Sequence, residues 1–438
     1  MPCKMFDFSG SRECKELLDL LEKRHGSNQD IEKTVTGIIE AVQTRGDEAL
    51  IEYTRKFDCP EFNASQLRVP HKALAEAAAS ICPEDRALIE ESIENIRSFH
   101  HAQVEQSWFK SRLDGSIVGQ EVRPLKAAGL YVPGGQGGET PLISTLLMTA
   151  LPAIEAGVKE IAVVSPPGKN GTLNKYLLAT AHILGLDEVY AAGSAWAIAA
   201  LAYGTESIRP VDVIAGPGNI YVTCAKRLVS GKVSIDMLAG PSEILIVADE
   251  KSSPILIAAD MLAQAEHDPL ASAICISDSK ILLESVNLEL KAQMGNLPRR
   301  EIAKESLTAW GALVKVRNLK EAVRLANQVA PEHLELMVES PWSMLGQVQN
   351  AGAVFIGSNT PEAMGDYFAG PNHVLPTMGT ARFSSALSVQ TFMKKINIIF
   401  SSSEYAQESA PKVARLARLE GLEAHARSAE LRRLVKTH

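Results

Sequence analysis

Gly129-Leu130-Tyr131-Val132-Pro133-Gly134-Gly135-Gln136-Gly137-Gly138 sets an apolar, strand-like run directly against a glycine-rich turn. Outward from it the pattern alternates: a helix over 142–156, a strand over 161–164, a helix over 173–184, a strand over 188–190, a helix over 195–203 and a strand over 211–214. Strands that alternate with helices predict a parallel sheet, because parallel neighbours need a crossover connection between them. A second block repeats the theme with strands over 244–248, 273–276 and 353–356 and a long charged helix from Ser279. In this block a helix runs from Ser253 to Asp268, with Ser253 as N-cap and Pro254 at the first helical position. Residues 30–101 read as mainly helical, with Ile31, Val35, Ile38, Ile39 and Val42 at helical spacing, and the chain closes on a charged helix from about Ala410. The expected fold is α/β, with two α/β units and a helical tail.

At 438 residues the chain exceeds what one hydrophobic core organises, so two or three domains are expected. A net charge of −8 and the lack of basic runs interleaved with aromatics argue against nucleic acid as a partner. The polar amino terminus has no signal-peptide core and the apolar stretches break short of a membrane span, so a cytoplasmic protein with no membrane partner is expected. Six scattered cysteines without a Cys-x-x-Cys pair read as reduced packing thiols.

Chemistry concentrates at Ala330-Pro331-Glu332-His333-Leu334-Glu335. A carboxylate and an imidazole at adjacent positions point in different directions, so they suit two separate proton transfers on one substrate. By itself the pair reads more readily as the start of a loop. Pro133 to Gly138 and Gly216-Pro217-Gly218-Asn219 each follow a strand, where backbone can approach a pyrophosphate, although neither matches G-x-G-x-x-G and no P-loop lysine pattern is present. Gln264 and His267, three apart, share one face in the last turn of the expected helix and could bind a metal. Asp366 and His425 could complete an oxygen and nitrogen donor set, but spacing does not select them.

Together these stretches closely resemble the histidinol dehydrogenase family. The likeness runs in order through Gly129 to Gly135, Gly216 to Asn219, Ile235-Asp236-Met237-Leu238-Ala239-Gly240-Pro241-Ser242-Glu243, Gln264-Ala265-Glu266-His267 and Pro331-Glu332-His333. It continues through Gly365-Asp366-Tyr367, Gly370-Pro371-Asn372-His373-Val374-Leu375-Pro376-Thr377 and Glu420-Gly421-Leu422-Glu423-Ala424-His425.

The resemblance implies an enzyme that oxidises L-histidinol to L-histidine through an aldehyde, with two NAD used in succession and one zinc per subunit. Gln264, His267, Asp366 and His425 would hold the zinc and, with Ser242, His333, His373 and Glu420, contact substrate. Glu332 and His333 would be catalytic; Tyr131, Trp196 and Asn219 would contact NAD. The implied architecture is two incomplete Rossmann-like parallel-sheet domains with a helical C-terminal arm, in an intertwined homodimer whose tail completes the partner's site. The expected division is an N-terminal segment over 1–29, a discontinuous metal and substrate domain over 30–128 and 240–385, a cofactor domain over 129–239 and a dimerisation arm over 386–438.

One position departs from the family pattern. Trp196 stands where a glutamine is expected, which puts cofactor affinity in question. Two other readings compete: a sister dehydrogenase of another small polar alcohol, such as a sulfonated diol, and a zinc hydrolase that uses Glu332 to activate water without a nicotinamide.

Overall fold

The structure is a computed structural model, described here over residues 2–9, 14–24, 29–134 and 142–434. Residues 135–141, which include Gly135 to Gly138 of the first glycine-rich turn, lie outside the described residues. The chain divides into two compact units, one of residues 1–103 with 126–392 and the other of 104–125 with 393–438.

The larger unit contains both parallel sheets. One runs in the spatial order Glu188–Ala191, Glu160–Ser165, Ala127–Tyr131, Val213–Ala215, Ser234–Ile235. The chain thus starts in the middle, builds outward in one direction, then returns to build in the other. That reversal leaves a crevice between the neighbouring strands Ala127–Tyr131 and Val213–Ala215, the place where doubly wound sheets receive ligands.

The second sheet repeats this winding with Ala312–Lys315, Ser272–Ser277, Glu243–Ala248, His333–Met337 and Ala353–Ile356 in spatial order. Lys4–Asp7 adds a sixth parallel strand at the Ala312–Lys315 edge, so the segment before residue 30 is built into this sheet. All six residues of Glu243–Ala248 are buried, as expected of a central strand covered on both faces. Successive side chains divide between two cores: Ile244, Ile246 and Ala248 pack with Ile257, Met261 and Leu262, whereas Leu245 and Val247 pack with Leu325, Ala326 and Val329.

The smaller unit carries the helical tail expected from sequence and adds an antiparallel sheet ahead of it. Its Met393–Phe400 strand pairs antiparallel with Ile117–Pro124, which pairs in turn with Trp108–Ser111. Helices Ser403–Leu419 and Glu423–Leu434 follow. The residues 393–400 (MKKINIIF) alternate only loosely, which is why periodicity alone passes over them. Among the described residues, no helix is long and apolar enough to cross a membrane.

Candidate active site

The helix Leu319–Val329 stops at Ala330, which adopts a left-handed conformation with φ of 51°. A side chain bearing Cβ is disfavoured there by roughly 1–2 kcal/mol, and such strain is characteristic of functional sites. The turn delivers Glu332 and makes His333 the first residue of its strand, paired with Ile244 and Ala353. The pair therefore sits at the amino ends of two parallel strands, not at the carboxyl ends where ligands of such sheets usually bind.

One backbone residue holds both side chains. The Glu243 amide donates to Glu332 Oε2 at 2.8 Å, and the Glu243 carbonyl lies 2.8 Å from His333 Nδ1. A carbonyl can only accept, so Nδ1 carries the proton and Nε2 is the bare, basic nitrogen. That Nε2 is buried and has no hydrogen-bond partner among the described residues. Burial, with smaller contributions from His373 and His267, pulls the imidazole down to about 4, so it is neutral and able to accept a proton near neutral pH.

Glu332 is also buried, 6% exposed. Burial pushes its carboxyl well above the usual range, the Glu243 and Asp366 carboxylates add to the push, and the Glu243 amide and Arg24 oppose it. A carboxylate whose carboxyl is raised in this way is a stronger base than an ordinary one.

A donor cluster lies beside the pair. Ligand atoms of His333, Glu362 and Asp366 lie within 4.8 Å of one another, with Glu362 and Asp366 one turn apart on the short helix Glu362–Tyr367. Gln264 is fully buried at the end of the helix Pro254–Ala265. With its amide nitrogen toward Glu362, it donates to both carboxylate oxygens at 2.8 and 2.9 Å, and its oxygen is turned away from that carboxylate. Burial lifts Asp366 to about 6 while His267 draws it back down. These oxygen and nitrogen donors suit a divalent cation of the zinc type.

His267 differs from expectation in one respect. The helix ends at Ala265 with Glu266 as its C-cap, so His267 lies beyond it and does not share a helical face with Gln264. Asp268 causes the early stop: its carboxylate accepts from the Leu270 amide at 2.8 Å, and the following Pro269 disfavours a helical conformation at Asp268. His373, half-buried, donates Nδ1–H to the Asp366 carbonyl at 3.0 Å, which links it to the same cluster. Ser242 lies in the turn just before Glu243.

Of the expected cofactor residues, Tyr131 and Asn219 lie by the crevice of the other sheet, and Trp196 lies in the helix Ser194–Tyr203. Tyr131 ends its strand, and its hydroxyl accepts from the Ser194 amide at 3.2 Å. Gly216 has φ of 121°, and a Cβ there would meet the Tyr131 carbonyl oxygen at 2.1 Å, so only glycine fits. Asn219 caps the helix Ile220–Val229 by accepting from the Tyr221 and Val222 amides. Trp196 is 3% exposed and packs against both Tyr53 and Phe57, with ring centroids 5.8 and 5.6 Å away, while those two rings also stack on each other.

Glu420 and His425 belong to the smaller unit. Glu420 is the C-cap of Ser403–Leu419, His425 lies in Glu423–Leu434, and both are exposed within that unit.

The histidinol dehydrogenase family model matches residues 21–433. The chain belongs to the histidinol dehydrogenase family. It is 58% identical over 432 residues to the curated histidinol dehydrogenase of Oleidesulfovibrio alaskensis, covering 99% of this chain and 100% of that one. The corresponding enzyme of Bacillus subtilis is 49% identical over 417 residues, covering 95% and 96%. The crystal structure of histidinol dehydrogenase from Elizabethkingia anophelis superposes with a TM-score of 0.92 at 34% identity, covering 98% of each chain. An acetylating aldehyde dehydrogenase from Geobacillus thermoglucosidasius, at TM-score 0.50 and 14% identity over 89% of this chain and 97% of that one, shares the fold alone.

Membership makes the chain an oxidoreductase of the histidinol dehydrogenase type. The geometry also brings to the site two residues that sequence reasoning passes over, Glu362 and Glu243. Glu362 carried a readable signal, since it stands four positions before Asp366 directly after Pro361, a helix-opening pattern with two acids on one face. Glu243 carried none, because it acts through its backbone.

Proposed function

We propose that the chain oxidises L-histidinol to L-histidine in two successive NAD-dependent steps through an aldehyde. What carries this reading is the bare Nε2 of a buried, neutral His333 beside the buried Glu332 carboxyl, in a chain of this family. Gln264, His267 and Asp366 would hold zinc with His425 supplied by the partner chain of a homodimer. Zinc held by these residues would anchor the substrate's imidazole and amino groups, and NAD would serve as the hydride acceptor for each oxidation.

The chain's own residues move the protons. His333 Nε2 accepts the hydroxyl proton in the first oxidation, and the Glu243 carbonyl stabilises the resulting imidazolium through Nδ1–H. Glu332 takes a proton from water as it adds to the aldehyde, and the His333 imidazolium returns its Nε2 proton to the carbonyl oxygen, which completes the hydrate and frees Nε2 for the second oxidation. The Glu332 carboxyl is kept in place for this by the Glu243 amide. Ser242, His373 and Glu420 contact the substrate, Glu420 at the cationic amino group. Tyr131 and Asn219 line the cofactor side, whereas Trp196 is buried against Tyr53 and Phe57.

The deciding measurement is NADH formation by the purified protein with L-histidinol and NAD, combined with product analysis. Two NADH per histidine formed is the expected result. Turnover of another polar alcohol but not histidinol would overturn the reading in favour of a sister dehydrogenase. Ester or amide hydrolysis with no NAD reduction would overturn it in favour of a hydrolase.

A further inference from the structure

Arg24 lies at the end of the N-terminal segment, just past the helix Lys15–Glu22, yet its side chain is 1% exposed and reaches a turn more than two hundred residues away. Its Nη1 donates to Glu243 Oε1 at 2.5 Å and to Ser272 Oγ at 3.2 Å. Nη2 donates to the carbonyls of Pro241 at 3.2 Å and Ser242 at 3.4 Å, and Nε donates to the Leu270 carbonyl at 3.0 Å. All three guanidinium nitrogens are therefore used. The planar fork spans both the turn before Glu243 and the segment that leads into Ser272–Ser277, which a lysine ammonium could not do.

The same turn is tied from its other side, where the Gly240 amide donates to Thr377 Oγ1 at 2.6 Å. Glu243 is thus fixed through its own side chain and through the two residues before it. Its amide and carbonyl are in turn the groups that hold Glu332 and His333. Burying a guanidinium and a carboxylate is costly, and removing one partner costs more than the pair contributes.

We propose that Arg24 is a positioning residue for the catalytic pair: it locks the Pro241–Glu243 turn, and through the Glu243 backbone it sets where Glu332 and His333 point. The proposal rests on the histidinol-oxidising reading for its kinetic consequence but not for its structural one.

The test uses full-length Arg24→Ala and Arg24→Lys proteins. Misplacing reacting groups by about an ångström costs on the order of 100-fold in rate. The expected result for Arg24→Ala is a kcat loss on the order of 10- to 100-fold with the KM for NAD unchanged, and recovery of at least tenfold when guanidinium ion is added at millimolar concentration. Its crystal structure should show the Glu332 carboxylate no longer bonded to the Glu243 amide. Should Arg24→Ala not fold, Arg24→Lys still decides: a loss of roughly fivefold or more supports the proposal, and wild-type kcat overturns it. A folded Arg24→Ala protein whose activity falls without guanidinium rescue, and in which the Glu332–Glu243 bond is intact, also overturns it, since Arg24 would then serve packing alone. Wild-type protein that does not oxidise histidinol would overturn the functional reading, whereas the crystal structure of the variant would still decide the role of Arg24.

Discussion

The Glu243 carbonyl accepts the Nδ1–H of His333 at 2.8 Å across two neighbouring parallel strands, and this contact leaves Nε2 as the unprotonated nitrogen. The bond joins residues 90 positions apart, so it exists only because the strands pair in the register that sets His333 against Ile244. Any slip by one residue would turn the imidazole to the other face of the sheet.

Glu332 and His333 should separate kinetically. Glu332→Gln is expected to slow oxidation of histidinaldehyde to histidine by about 10²- to 10⁴-fold and to affect reduction of that aldehyde to histidinol, which needs no added water, far less. His333→Asn should slow both. Single-direction assays starting from the aldehyde measure this. Equal losses in both directions for both variants would leave the two residues without distinct roles.

The Gln264 amide nitrogen donates to the two carboxylate oxygens of Glu362, which turns the amide oxygen away from that carboxylate and toward its proposed role as a metal ligand. Removing such a supporting partner typically weakens metal affinity by about 10- to 100-fold, and Glu362→Gln should do so here. Competition with a chelator, independent of turnover, gives the number. Unchanged zinc affinity would mean that the amide is oriented by other groups.

The dimeric arrangement can be tested by complementation. His267→Ala and His425→Ala proteins should each be inactive alone, and hybrid dimers should regain activity at the one site whose ligands are all intact. Absence of recovery after demonstrated subunit exchange would argue for a site built within one chain.

Trp196 packs a large apolar surface against both Tyr53 and Phe57. Trp196→Ala should therefore lower stability by about 3–5 kcal/mol, as read from thermal or denaturant unfolding. A change below about 0.5 kcal/mol would show that the indole contributes no core packing.

Asp58 supplies a pH signature of stability. Burial raises its carboxyl from 3.8 to about 6, and Oδ2 has no hydrogen-bond partner among the described residues. Because the folded value lies above the unfolded one, folding favours the protonated form. That contribution is full below about pH 4 and is lost as pH rises through about 6. Asp58→Asn should then raise the melting temperature by a few degrees at pH 8 and by nothing measurable at pH 4. An equal gain at both pH values would rule out ionisation as the cause.

Alternating strands and helices around Gly129 to Val132 were legible from residue order alone, because side-chain period and turn chemistry are local properties. So were the motifs that placed the chain in its family, including Glu332-His333 and Gln264 to His267. Local order could not show that Lys4–Asp7 closes the edge of the second sheet, since only its pairing with Ala312–Lys315 makes that short segment a strand. Nor could it show that His267 leaves its helix, that Trp196 lies buried in an aromatic stack, or that Glu362 holds Gln264. Each of these depends on what a side chain or backbone group meets after burial. A buried polar group needs a partner, and parallel strand pairing across long sequence separations decides which partner it finds.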